Sequence, residues 1–300
     1  MIISVASGKG GTGKTTVAVN LALSLARDKP LRYNLESLGQ GTQTYPHSWV
    51  QFLDCDVEEP NAHIFLKPEF KRTYPVAIPI PEVDEQKCTH CGKCSEVCQY
   101  NAIAVLKDKV LIFPELCNGC GGCSLLCPEG AITEIKRTIG VIEEGKSGNI
   151  NFSHGKLNIG EARATPVIRE LKSRIDSNKL TIIDVPPGTS CPVIESVKGS
   201  DFCILVTEPT PFGLNDLILA VEVLRKLTIP FGVIINRADI GDKKVEGYCG
   251  RQRIPILMNI PVDREIAVSY SNGAPFILWK KEWEPKFKNL YFRIKELISK

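Results

Sequence analysis

Eight cysteines fall in two runs of identical spacing: Cys88, Cys91, Cys94, Cys98, and Cys117, Cys120, Cys123, Cys127. Each run reads C-x2-C-x2-C-x3-C, and the second follows the first at an offset of 29 residues. A cubane iron-sulfur cluster takes a thiolate at each of its corners, and three closely spaced cysteines can wrap most of one. The repeat continues past the sulfurs, because Asn101-Ala102-Ile103 is matched one repeat later by Gly130-Ala131-Ile132; the unit is a duplicated piece of structure. Zinc sites favour two separated C-x2-C pairs, which would leave the third and fourth cysteines of each run idle. Disulfides are disfavoured because residues 1–6 lack the basic start and length of an export signal, and such bonds persist in oxidising compartments. Two [4Fe-4S] clusters are the expected occupants.

Residues 79–136 resemble the bacterial-type two-cluster ferredoxins. In that pattern the fourth cysteine of each run serves the other cluster. The resemblance therefore assigns Cys88, Cys91, Cys94 and Cys127 to one cluster and Cys117, Cys120, Cys123 and Cys98 to the second. Residues 103–106 and 110–113, around Lys107-Asp108-Lys109, read as a short hairpin covering the clusters. The two runs differ in one respect: Pro128 follows Cys127, but Gln99 follows Cys98.

A second chemistry stands at the start of the chain. An apolar run at residues 2–5 leads into Ser7-Gly8-Lys9-Gly10-Gly11-Thr12-Gly13-Lys14-Thr15-Thr16, and Val17, Ala18, Leu21, Ala22 and Leu25 then share one helical face. Strand, glycine loop and helix in that order form a phosphate-binding site. The amides of the loop close around phosphate oxygens, and the positive end of the helix points at them. Lys14 is placed to contact the β and γ phosphates, and Thr15 to ligate magnesium.

Lys9, an extra lysine early in the loop, makes this a deviant form of the motif. The chain here resembles the superfamily of MinD, ParA and the nitrogenase iron protein. That resemblance implies ATP as the nucleotide, a nucleotide-dependent homodimer, and a role for Lys9 on the partner subunit's phosphates. Asp54-Cys55-Asp56, after the apolar residues 50–53, is similar to the superfamily's switch I, with Asp56 as the carboxylate that positions water and Asp54 as its partner. Asp184-Val185-Pro186-Pro187-Gly188, after residues 180–183, is similar to its magnesium-binding switch II, with Asp184 on the metal and the Gly188 amide on the γ-phosphate. Asn236, at the end of the apolar run 231–235, is the implied contact to the base.

These residues need a scaffold that brings the ends of parallel strands together. Strand and helix patterns alternate before the cysteines and resume after them. The expected architecture is thus an α/β, doubly wound, mostly parallel P-loop domain, residues 1–75 plus 138–300, interrupted by a small α+β ferredoxin domain at 76–137. Residues 143–160 read as a glycine-rich return linker, and residues 28–49, rich in Ser, Thr, Gln, Gly and Tyr, as an unusual surface insertion. Phe287, Leu290, Tyr291, Ile294, Leu297 and Ile298 form one face of a last helix; a basic opposite face invites a membrane reading, but the position suits core packing better. Cys203 reads as core filling. Cys191, seven residues after Asp184, stands near where the nitrogenase iron protein ligates a shared cluster, but no C-x2-C occurs near the C-terminus.

Composition narrows the function classes. With 300 residues, 43% hydrophobic and 24% charged, the chain is ordinary for a soluble protein of about two domains. A net charge of +3 gives no footprint for nucleic-acid binding, no membrane span is evident, and a cytoplasmic location is expected. The leading expectation is an ATPase that couples nucleotide state to electron transfer through its clusters, between a redox donor and an acceptor protein. The alternative is an ATPase that carries or assembles clusters or a metallocofactor, and a third reading is a redox-sensing positioning ATPase.

Overall fold

The computed structural model describes residues 1–26, 33–35, 40–43 and 49–299. The chain opens with β1 (Ile2–Ala6), α1 (Lys14–Leu25), β2 (Tyr33–Leu35), β3 (Gln40–Gln43), β4 (Val50–Asp54) and α2 (Ala62–Leu66). The inserted region follows: β5 (Glu69–Val83), α3 (Lys93–Val97), β6 (Ile103–Val105), β7 (Val110–Ile112), α4 (Gly122–Leu125) and β8 (Ile132–Ser147). Next come β9 (Ile150–Leu157), α5 (Ala164–Lys172), β10 (Leu180–Asp184), α6 (Cys191–Val197), β11 (Phe202–Thr207) and α7 (Pro211–Lys226). The chain closes with β12 (Phe231–Asn236), α8 (Lys244–Arg251), β13 (Ile256–Ile260), α9 (Arg264–Ser271) and α10 (Trp283–Ile298).

Nine strands make one sheet in the order β13-β12-β11-β1-β10-β4-β9-β8-β5. Neighbours from β13 to β9 are parallel, whereas β8 and β5 add on antiparallel. Helices cover both faces of the parallel part, so its strands are apolar almost throughout. In β11, Phe202, Ile204 and Val206 enter one core while Cys203 and Leu205 enter the other. The last helix belongs to the first of these cores: Phe287, Leu290, Tyr291 and Ile294 are buried, and each such side chain stabilises the fold by roughly 1.5–3 kcal/mol. Tyr291 meets Trp49 edge-on at 5.8 Å, and the Trp49 indole donates to the Leu25 carbonyl at 2.9 Å. No helix among the described residues is long and apolar enough to cross a membrane.

Residues 143–147 and 150–157 lie in β8 and β9, so most of this stretch is strand, not a linker. β8 turns into β9 at Gly148, where φ is +54°, Gly160 has φ +80°, and Gly145 and Gly155 mark close approaches. A Cβ on Gly145 would lie 2.3 Å from the Glu69 carbonyl oxygen, and one on Gly155 would lie 2.6 Å from a Val57 methyl. Glycines that look like slack in the sequence are there because the backbone is crowded. β5 and β8 pair from Glu69↔Lys146 to Val83↔Ile132, so divisions at 75/76 and 137/138 cut across a continuous ribbon. At its root Glu143 bonds His154 at 2.8 Å; the His154 ring packs edge-on against His63 of α2 at 5.2 Å and stacks on Phe70 at 5.0 Å.

The segment read as a surface insertion, 28–49, lies largely outside the described residues. Its described strands β2 and β3 pair antiparallel with each other.

Candidate nucleotide cleft and cysteine cages

The loop between β1 and α1 lines a cleft of about 1300 Å3 at the carboxyl ends of the parallel strands, with Gly10, Gly11, Gly13, Lys14, Thr15 and Thr16 along it. Gly13 has φ +94°, and a Cβ there would lie 2.6 Å from the Asn236 amide nitrogen; only glycine lets the loop pass this side chain. No side chain caps α1, so its first amides remain open toward the cleft.

Three carboxylates surround Lys14. Its Nζ donates to Asp56 Oδ2 at 3.1 Å and lies 3.9 Å from Asp184 Oδ1. Burial acts against the ammonium charge, but Asp184 and Asp56 outweigh it and hold the Lys14 pKa above its ordinary value. Thr15 Oγ1 donates to Asp184 Oδ2 at 2.6 Å. Asp54 is fully buried and works on the backbone: Oδ1 accepts from the Asp56 amide at 3.1 Å, and Oδ2 from the Asn61 and Ala62 amides at 3.0 and 2.9 Å. It thereby fixes the loop that presents Asp56. Burial, with Asp184 nearby, raises the Asp54 pKa, and burial also raises that of Asp184.

The fit to magnesium nucleotide can be tested on groups left without partners. Thr12 Oγ1, Asn61 Oδ1 and Asp184 Oδ1 are buried with no hydrogen-bond partner in the protein. Buried polar atoms are ordinarily satisfied, and these three lie on the segments that border the cleft. A magnesium-phosphate group would supply what they lack, an acceptor for the Thr12 hydroxyl and a cation for the two oxygens.

Two expected residues point elsewhere in this state. Lys9 is not on the cleft wall; its Nζ lies 3.9 Å from Glu208, which Arg237 also pairs at 2.8 Å. The Gly188 amide donates to the Ser7 carbonyl at 3.0 Å. Asn236 does line the cleft and is braced by its Nδ2 on the Thr12 carbonyl at 2.9 Å. Tyr270 and Phe276 add aromatic surface to the cleft; neither lies in a motif, so no local signal marks them.

The cysteines form two cages. Cys88, Cys91, Cys94 and Cys127 line one cavity of about 350 Å3, and Cys98, Cys117, Cys120 and Cys123 line another of about 410 Å3. The duplication is visible in the backbone. His90, Gly92 and Asn101 have positive φ, and so do Gly119, Gly121 and Gly130 one repeat later. The halves also exchange bonds, Asp84 N–H to the Ala131 carbonyl and Phe113 N–H to the Ala102 carbonyl, at 2.7 and 2.8 Å. Amides point at sulfur in both: Ala102 to Cys98 and Ala131 to Cys127 at 3.3 Å. Four thiols with amide donors around apolar walls fit a [4Fe-4S] cluster. Among the described residues, no three His, Cys, Asp or Glu side chains converge to hold a single metal ion. Of the other cysteines, Cys55, Cys203 and Cys249 are buried and Cys191 is exposed.

Comparison with known proteins follows the same division. The profile of the CobQ/CobB/MinD/ParA nucleotide binding domain matches residues 3–32, and that of the 4Fe-4S binding domain matches residues 81–104 and 110–133. The uncharacterized protein MJ0579 of Methanocaldococcus jannaschii is 32% identical over 286 residues, covering 92% of this chain and 91% of its own. An iron-sulfur cluster carrier protein of Pyrococcus horikoshii is 25% identical over 316 residues, covering 99% of this chain and 85% of its own. Among solved structures, the septum site-determining protein MinD of Pyrococcus horikoshii, in complex with Mg-ADP, superposes with a TM-score of 0.57 at 20% identity, covering 99% and 96% of the two chains. The cell division ATPase MinD of Pyrococcus furiosus gives a TM-score of 0.57 at 21% identity, covering 99% and 98%. These structural likenesses establish the fold. Together with the two profiles and the full-length relative, they place the chain in the MinD/ParA superfamily of P-loop nucleotide-binding proteins, as a member with an inserted pair of 4Fe-4S binding motifs.

Proposed function

We propose that this protein is an iron-sulfur cluster carrier ATPase, in which magnesium ATP governs how [4Fe-4S] clusters are held and passed on. The observation that carries the reading is a P-loop cleft and two four-cysteine cages on one chain, the cages inserted between the outer strands β5 and β8 of the same nine-stranded sheet, each with one exposed cysteine, Cys91 and Cys120. The carrier relatives, which align along nearly the whole chain, favour it over the electron-transfer reading. In this scheme Lys14 and the loop amides of residues 8–16 bind the phosphates, Thr15 and Asp184 hold magnesium, and Asn236 holds the base. Asp56, positioned by Asp54, orients the attacking water. The working unit is a homodimer, in which Lys9 leaves Glu208 for the partner subunit's nucleotide and the Gly188 amide turns to the γ-phosphate. Cys88, Cys91, Cys94 and Cys127 hold one cluster, and Cys117, Cys120, Cys123 and Cys98 the other. A bound cluster supplies transferable iron and sulfide, or one-electron chemistry.

The second reading, electron delivery to an acceptor protein, is favoured by the closure of all eight thiols into two complete ligand sets. One experiment separates the two. Anaerobically reconstituted protein is mixed with an apo acceptor of [4Fe-4S] clusters, with and without magnesium ATP, and iron on each chain is counted after separation. Transfer that depends on ATP is expected. Iron that stays in place, while the dithionite-reduced protein still reduces an acceptor, would overturn the carrier reading in favour of electron transfer.

A further inference from the structure

The floor of the nucleotide cleft and one cysteine cage are joined through two packed helices, α6 and α5. The floor is the loop after β10: Pro187 lines the cleft, the Gly188 amide is bonded to the phosphate loop at Ser7, and α6 begins three residues later. The far end of α6 is clamped by α5. Lys172 Nζ donates to the carbonyls of Glu195, Ser196 and Lys198 at 2.6, 2.9 and 2.6 Å. One turn earlier the Arg169 guanidinium forks onto the Glu195 carboxylate at 3.2 and 3.3 Å. An ammonium on three terminal carbonyls satisfies groups that a helix end otherwise leaves open, so α6 cannot slide on α5 without breaking them.

The other end of α5 is tied to the insertion. Arg163, its N-cap residue, donates through Nε to Glu161 Oε1 at 2.7 Å and through its guanidinium to the Pro114 carbonyl at 3.4 Å. Arg137 of β8 takes the second oxygen of Glu161. The Glu161 side chain is only 4% exposed, and a buried carboxylate shared by two guanidiniums is a stiff joint, because moving either arginine strands a charge. Pro114 is three residues before Cys117, whose amide donates to the Phe113 carbonyl. Between its two ends α5 is packed through Ala164, Val167, Ile168 and Leu171, all buried. The longest link on the path is the 3.4 Å bond from Arg163 to the Pro114 carbonyl.

We propose that α5 is a strut that transmits displacement of the cleft-floor loop to the cage of Cys117, so that nucleotide and cluster bias one another's state. The inference rests on the reading that both sites are loaded in the working protein. Coupling of this kind is reciprocal: if nucleotide changes the cluster's potential, reduction changes nucleotide affinity by the same free energy.

The test uses the full-length protein, reconstituted anaerobically with iron and sulfide and titrated redox-wise by EPR with and without a non-hydrolysable magnesium ATP analogue. In the wild type a shift is expected that corresponds to at least about a fivefold difference in nucleotide affinity, ~40 mV for a one-electron step. Arg169→Ala combined with Lys172→Met at the floor end, and separately Arg163→Ala at the cage end, should each reduce it to less than about twofold. Iron content and the oxidised protein's nucleotide affinity should stay unchanged. Because the Arg169 side chain is 67% exposed, Arg169→Ala alone is a further variant that keeps the fold, and it should weaken the shift in the same direction. A wild-type shift that survives in all these variants overturns the strut. Absence of a shift in the wild type also overturns it, while the cluster-transfer assay still decides the carrier reading.

Discussion

Lys14, Asp56, Asp184 and Asn236 meet at one cleft although they are scattered from residue 14 to residue 236, whereas all eight cage cysteines lie between residues 88 and 127. The cleft residues are delivered by buried parallel strands, and a dense apolar core fixes where each carboxylate stands. The cages have almost no core. Neither α3 nor α4 buries a residue, and the apolar lining is thin: Pro79, Pro81, Val97 and Ile103 around one cage, Val83, Val105, Val110 and Ile132 around the other. A region so short cannot remove enough apolar surface from water to be stable alone, and metal binding then supplies the folding free energy. Packing makes the cleft, and the cages are left for a bound cluster to stabilise.

The largest effect expected from that difference is on removal of iron. Anaerobic chelation should leave the amides of residues 84–131 unprotected against hydrogen exchange, while β1, β10 and the phosphate loop keep their protection. Cages that stayed protected without iron would break the contrast. A smaller effect should come from the cleft side. Lys14→Ala removes the cation between Asp56 and Asp184 and should lower ATP turnover by about 100-fold or more, with iron content unchanged. Loss of iron in that variant would show that the two regions are not built independently.

The smallest effect concerns the joint between them. Burial depresses the imidazole pKa of His63 and of His154, against the opposing pull of Glu143 and with Lys156 adding to the depression. Both rings therefore take up a proton less readily in the fold than in the unfolded chain, where they do so below about pH 6.5. Because the unfolded state then binds more protons, stability should fall as pH drops through that value toward the depressed folded values. Urea midpoints at neutral and mildly acidic pH should show this, and His154→Gln should reduce the difference. An unchanged pH dependence in that variant would mean that the joint bears no such load.

Much of both sites could be read from the chain because each motif is local. The cysteine spacing and the Gly8–Thr16 loop contain their own geometry, and apolar runs ending in Asp54, Asp184 and Asn236 announce buried parallel strands. The stripe of Phe287, Leu290, Tyr291 and Ile294 likewise foretold a core helix. Contacts made at a distance left no such trace. Lys9 rests on Glu208 because β11 happens to end beside the phosphate loop, and no spacing rule links residues 9 and 208. The ribbon was hidden by its glycines, since Gly145 and Gly155 serve crowding and a sequence shows only that they lack side chains. Asp54 was legible as acidic and strand-terminal, but its work on the amides of Asp56, Asn61 and Ala62 depends on where the following loop returns.

The strand β5, at the rim of the nine-stranded sheet, is 15 residues long. A bare edge of that length is a template on which a second copy of the chain could zip, and so a route to aggregation. Pro75, Pro79 and Pro81 have no amide hydrogen to offer an incoming strand, and exposed Glu69, Lys71, Arg72 and Glu82 place charge along the same rim. Pro79 and Pro81 also border the cage of Cys117. Two prolines of the outer strand are thus part of the wall around the cage, and substitutions chosen to tune the cage would also change what this edge offers an incoming strand.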